Sequence, residues 1–149
     1  MISQSSAELS TKLLKVRQSI SKMGWHLNVP AIERAINQLD IERDVIVTFD
    51  PRLRRRGLAG LHRYSQSADC HVVLVDETRS ADVANGALWH ELTHAMQAER
   101  YAKLNQMAIA DFSKTYDNNN INYWNNPYEI EARRIALQNQ KNGAKLVLT

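Results

Sequence analysis

Apolar residues recur at Leu9, Leu13, Val16, Ile20 and Met23, a spacing that lays one stripe along a helix from Ser6 to Met23. Gly24 is a fitting stop for it. Pro30 suits the first turn of a second helix, with Ile32, Ala35, Ile36 and Leu39 on one side. The period then changes. Val45-Ile46-Val47-Thr48-Phe49 is short and β-branched and is closed by Asp50-Pro51, which predicts a strand. Leu58 to Tyr64 is a second candidate strand, and His71 to Val75 is the clearest. The polar residues Ser65 to Asp69 turn between them as a hairpin. Ser80 is placed to cap a helix from about Ala81 to about Leu104, with Asp82 favourable in its first turn. A polar stretch follows. Asn118, Asn119, Asn120, Asn122, Asn125 and Asn126 mark a loop, because asparagine favours turns and left-handed backbone. Pro127 starts a last helix to about Asn142, Gly143 breaks it, and Lys145 to Leu148 predict a short terminal strand. The order helix, helix, three strands, helix, loop, helix predicts an α+β domain.

At 149 residues, with no internal repeat and no linker, the chain reads as one domain, residues 1–42 a helical N-terminal part and residues 43–149 the core. The lone Cys70 excludes an internal disulfide, so nothing points to an oxidising compartment. Met1 to Ser10 has no apolar signal core, and no apolar run approaches the roughly 20 residues that span a bilayer. The expectation is a soluble cytoplasmic or virion-associated protein without a membrane partner. Net charge is +3, with the positive charge concentrated at Arg52, Arg54, Arg55 and Arg56. Such a run can contact nucleic-acid phosphates. The plainer alternative is a solvated loop between two strands.

Chemistry concentrates in His90-Glu91-Leu92-Thr93-His94. Histidines four apart on a helix project from one face about one turn apart, so both rings can reach one Zn2+ at about 2.0–2.1 Å. Glu91, beside the first histidine, is placed to act as general base on a zinc-bound water rather than as a ligand. The motif lies within a predicted helix, after a strand, among apolar Leu88, Trp89, Leu92 and Met96. A pair of surface histidines without metal is the bland alternative.

A catalytic zinc site needs a third protein ligand and an open position. Cys70, His71, His62 and His26 are candidates, but the better source is Asn126-Pro127-Tyr128-Glu129-Ile130-Glu131-Ala132-Arg133. Glu129 and Glu131 point about 200° apart on a helix, so only one can face the metal. Glu129 shares its face with Ala132, Arg133 and Ala136, whose two alanines permit close approach of another helix. Glu129 is therefore the expected ligand. Glu131 is the alternative, and with Arg134 and Ile135 it otherwise reads as a solvated charge.

These two motifs resemble the gluzincin branch of the zincin metallopeptidases, in which a glutamate on a second helix completes the zinc site. Asn126 to Ala132 is similar to the Asn-x-x-Glu-x-x-Ala-Asp segment of HtpX-type membrane peptidases, with Arg133 standing where that pattern has aspartate. The layout resembles compact soluble zincins, including small phage-encoded metallopeptidases and the SprT-like and ImmA/IrrE-like groups. The likeness spans roughly Val45 to Gln138. It implies a minimal zincin fold with a three- to four-stranded sheet, an active-site helix and a C-terminal helix carrying the third ligand. It also implies hydrolysis of a peptide or protein substrate, paired in extended form with Leu58–Tyr64 or His71–Val75. Tyr123 and Tyr128 are candidates for oxyanion or substrate contact. Trp89 and Trp124 read as core or pocket wall. Other readings are a DNA-associated SprT-like protease, a non-catalytic zincin-fold binding module, and a zinc hydrolase of a non-peptide amide.

Overall fold

A computed structural model describes residues 14–16, 20–117 and 123–149, the side chains of 115–117 and 123 excepted. The described residues form an α+β fold. The strands are β1 (Leu14–Val16), β2 (His26–Leu27), β3 (Asp44–Phe49), β4 (Gly60–Ser65), β5 (Cys70–Val75) and β6 (Val147–Leu148). The helices are α1 (Val29–Gln38), α2 (Arg52–Arg55), α3 (Ala81–Leu104), α4 (Ile109–Asp117) and α5 (Pro127–Asn142), with a 3-10 turn at Tyr123–Asn125.

The main sheet runs β1-β3-β5-β4. β1, β3 and β5 are parallel, while β4 pairs antiparallel with β5 through the expected hairpin and forms an edge. β4 therefore passes beyond β5's position to the rim, and the turn brings β5 back beside β3. Of the two strands expected to offer an edge to substrate, β4 is at the edge and β5 is interior. β3 alternates as a half-buried strand does, with Val45, Val47 and Phe49 inward. β2 and β6 form a separate two-stranded antiparallel ribbon.

One buried cluster joins Leu14, Leu27, Ile32, Ile36, Val45, Val47, Val73, Leu88, Trp89 and Leu92. The N-terminal part thus shares its core with the rest. Helix α3 runs through the middle of this core. Ser80 caps it, its side chain accepting from the Val83 N–H. Leu88, Trp89 and Leu92 face the sheet, each fully buried aliphatic side chain contributing about 1.5–3 kcal/mol. Among the described residues no helix is long and apolar enough to cross a membrane.

Two expectations need correction. The helix expected over 6–23 is a strand at Leu14–Val16, paired with Val45–Val47. Ile20 and Met23, which the stripe would bury, are 71% and 62% exposed, and Gly24 sits in a turn at φ +92°. Residues 6–13 and 17–19 lie outside the described ones. The outer edge of β3 carries backbone groups needing partners, and pairing with Leu14–Val16 satisfies them where a helix would not. Second, the polar stretch after α3 includes a helix, α4, which packs Ile109 and Phe112 against Ala98 and Ala102. Two anchors are too few to register as a period. The asparagine-rich residues 118–122 are outside the described ones.

Leu88 is fully buried between sheet and helices. Leu88→Ala is expected to lower unfolding free energy by about 2–5 kcal/mol in urea titration, through lost transfer energy and a residual cavity.

Candidate metal centre

Helix α3 presents His90, Glu91 and His94 to a cleft of about 1090 Å³, and α5 presents Glu129 to the same cleft. The start of α5 is set locally. Asn126 is buried and accepts the Tyr128 N–H at 2.9 Å, and Pro127 occupies the first helical position. From that start, Glu129, Ala132 and Ala136 form the buried face of α5. The two alanines let α5 lie close against α3, as the sequence implied.

Glu129, 4% exposed, is wedged between the two imidazoles. Its Oε2 lies 3.0 Å from His90 Nε2 and its Oε1 lies 2.8 Å from His94 Nε2. One nitrogen from each ring and one carboxylate oxygen fall within 4.8 Å of one another. A tetrahedral ion with ligands at about 2.0–2.1 Å holds its donor atoms about 3.3 Å apart, near the 3.0 and 2.8 Å that separate the carboxylate oxygens from the two ring nitrogens. The donor set, two imidazole nitrogens and a carboxylate, is one that zinc accepts.

His94 is also fixed from behind. Its Nδ1–H donates to Gln97 Oε1 at 2.8 Å, which leaves Nε2 facing Glu129. Gln97 in turn donates to the Tyr128 carbonyl at 2.9 Å and to Glu131 Oε1 at 2.8 Å. Against burial, which depresses it, the hydrogen bond to Glu129 and the charges of Glu91 and Glu129 raise the affinity of His94 for a proton. Glu91 is buried without joining the cluster. Burial pushes its carboxyl up, opposed by His94 and His90 and by the backbone N–H of His62.

Glu131 does not face the cleft. It accepts from Gln97 and from Arg100 Nη2 at 2.6 Å, and these bonds hold its carboxyl low against burial. It is not the solvated charge expected, because Arg100, one turn beyond Gln97 on α3, lies opposite it. The ring of Tyr128 packs with Tyr101 and Phe112 instead of lining the cleft, so packing claims the ring expected for oxyanion contact. The side chain of Tyr123 lies outside the described ones.

The remaining expected ligands are elsewhere. His26 is on β2, and Cys70 is buried at the start of β5. His62 and His71 bond to each other at 2.8 Å. Trp89 is core, while Trp124 is exposed on the cleft wall with the Arg133 guanidinium stacked on it at 4.8 Å. Arg133, which replaces the aspartate of the resembled pattern, is thus a wall residue. The arginine run is a short helix rather than a loop, pinned by buried Leu53 and by Arg52 paired with Asp50 at 2.9 Å. Arg54, Arg55 and Arg56 are exposed just before Gly57 and Leu58 of the cleft rim.

Gln97 and Gly60 were missed from the sequence. Gln97 follows His94 by three, a spacing that faces the same side of the helix. Gly60 allows β4 to approach α3. A Cβ there would stand 2.9 Å from Glu91 Cγ and 3.3 Å from the Leu74 carbonyl oxygen. Gly60→Ala is expected to destabilise by about 1–3 kcal/mol through overpacking. Thermal unfolding checks this, at about 2–4 °C of Tm per kcal/mol for a chain of this size.

Comparison with protein-family models, with curated protein sequences and with solved structures finds no match for this chain.

Proposed function

We propose that this chain is a zinc-dependent peptidase of gluzincin type, with His90, His94 and Glu129 as ligands and Glu91 as general base. The observation that carries this reading is the Glu129 carboxylate lying 2.8–3.0 Å from both motif histidines while Glu91 lines the same cleft without joining them. Two imidazoles and one carboxylate leave a fourth position for water or substrate. Bound zinc supplies a Lewis acid that polarises a carbonyl and acidifies water.

The residues supply the rest. Gln97 keeps His94 in one tautomer and one orientation. Glu91 takes a proton from the attacking water and returns it to the leaving amine. Its burial raises its proton affinity toward what a group cycling protons near neutral pH requires. The exposed edge of β4 borders the cleft, so an extended peptide can add to it as a strand beside Glu91. Leu58, Leu61, Val83, Trp124 and Leu137 make the walls largely apolar, which favours apolar side chains near the scissile bond.

Purified protein is expected to hold about one zinc per chain, the number one three-ligand site allows. His90→Ala and His94→Ala should abolish binding, and metal analysis showing full occupancy in both rules the site out. Glu129→Ala should weaken zinc by at least about ten-fold in chelator competition, and Gln97→Leu by a similar factor, as losses behind the ligands cost 10–100-fold. Glu131→Ala, one step further back, should have a smaller effect than either.

Glu91→Gln is expected to retain zinc and lose peptide hydrolysis, since it removes the base and no ligand. Cleavage of an unstructured protein substrate at the wild-type rate by this variant would refute the mechanism even with the metal in place.

A further inference from the structure

A second polar chain lies between the sheet and α3, and the mechanism above makes no use of it. It begins at Glu99 on α3, whose carboxylate accepts the backbone N–H groups of Glu42 at 2.8 Å and Arg43 at 3.1 Å. Glu99 Oε2 is 2.7 Å from His71 Nε2, and His71 is sealed from solvent. His71 Nδ1 is 2.8 Å from His62 Nε2. The strand register explains the approach. Tyr64 stands opposite His71, so His62, two residues away, shares its face of the sheet, toward α3.

One end of the chain is fixed. The hydrogen bonds from His71 and the two backbone N–H groups hold the Glu99 carboxyl low against burial, so it is an acceptor only. His71 Nε2 must therefore donate. One hydrogen then lies between His71 Nδ1 and His62 Nε2 and ties the second ring to the first. Burial, and after it the neighbouring His71 and His94, lower the proton affinity of the His62 ring. Its other ring nitrogen is Nδ1. That atom has no hydrogen-bond partner among the described residues and is not one of the polar atoms closed off from solvent. The ring borders the same cleft as His90, Glu91, His94 and Glu129.

Two histidines and a glutamate beneath an edge strand are a costly way to fill a core. Apolar residues of like volume would serve as well or better for stability alone. What the chain does that apolar residues do not is hold one imidazole in place with a ring nitrogen open to the cleft. We propose that His62 is a further substrate-contacting residue, its Nδ1 forming a hydrogen bond with the backbone of the peptide bound in the cleft, with His71 and Glu99 as the positioning residues that hold its ring. The inference rests on the peptidase reading. The peptide group it serves lies near the scissile bond, because His62 lines the same cleft as Glu91, His90 and His94.

Two substitutions separate contact from brace. His62→Asn places an amide near the position of Nδ1. His62→Gln places one near Nε2, which keeps the link to His71 and empties the Nδ1 position. In zinc-loaded protein both should hold zinc as the wild type does. On a quenched fluorogenic peptide with apolar residues around the cleavage point, His62→Gln should lose about 5–100-fold in kcat/KM, the range for one hydrogen bond of about 1–3 kcal/mol. His62→Asn should stay within about five-fold of wild type. The reverse order makes His62 a brace for His71 and overturns the proposal, as does equal behaviour of the two variants. A readout free of turnover is imidazole nitrogen NMR of the wild type. The His62 Nδ1 signal should shift when a peptidyl hydroxamate binds, and Glu99→Ala should diminish that shift. No shift on binding refutes it. Wild-type zinc content and cleavage are measured first. Failure there removes the peptidase reading, whereas success there with the wrong variant order removes this inference alone.

Discussion

A carboxylate 4% exposed to solvent is the constraint to which the rest of the molecule answers. An ionised carboxylate at that depth costs several kcal/mol unless it is paired and hydrogen-bonded. Glu129 meets this cost with two imidazoles one helical turn apart, and it reaches them only because α5 crosses α3 closely. Ala132 and Ala136 permit that crossing, and the Asn126 cap decides where α5 begins. A larger residue at either alanine would separate the helices and leave Glu129 buried without partners.

Helix α3 is the common anchor of two polar threads. One leaves through His94 to Gln97, Glu131 and Arg100, and ties the helix to α5. The other leaves through Glu99 to His71 and His62, and ties it to the sheet. Each thread is continuous, so each buried group finds its partner and few are left unsatisfied. Severing either in its middle would strand polar groups on both sides of the cut. Both threads end at the cleft that Glu91 lines, and β4 passes close to Glu91 with no side chain at Gly60 to intervene.

The boundaries of α3 and α5 were readable in the residues because their ends carry local signals. Ser80 and Asn126 cap, Pro127 opens and Gly143 closes, and each acts on backbone within one turn of itself. The strands β3, β4 and β5 followed from β-branched runs and a polar turn. The pairing of His90 with His94 is a property of helical pitch, and the choice of Glu129 over Glu131 followed from which residues share a helix face. None of this needs knowledge of distant contacts.

The misreadings have one cause. The stripe ending at Met23 had helical spacing, yet Leu14–Val16 is held by the open edge of β3, some thirty residues away. Tyr128 looked available for chemistry until α4, a helix with two apolar anchors, placed Phe112 against its ring. His62 and His71 looked like spare ligands, whereas the register of β4 on β5 and the approach of Glu99 made them links of one chain. Capping, pitch and turn chemistry act over a few residues and are written in the sequence. Edge pairing, strand register and the closing of a cleft depend on which surfaces meet after folding, and only the tertiary structure decides those.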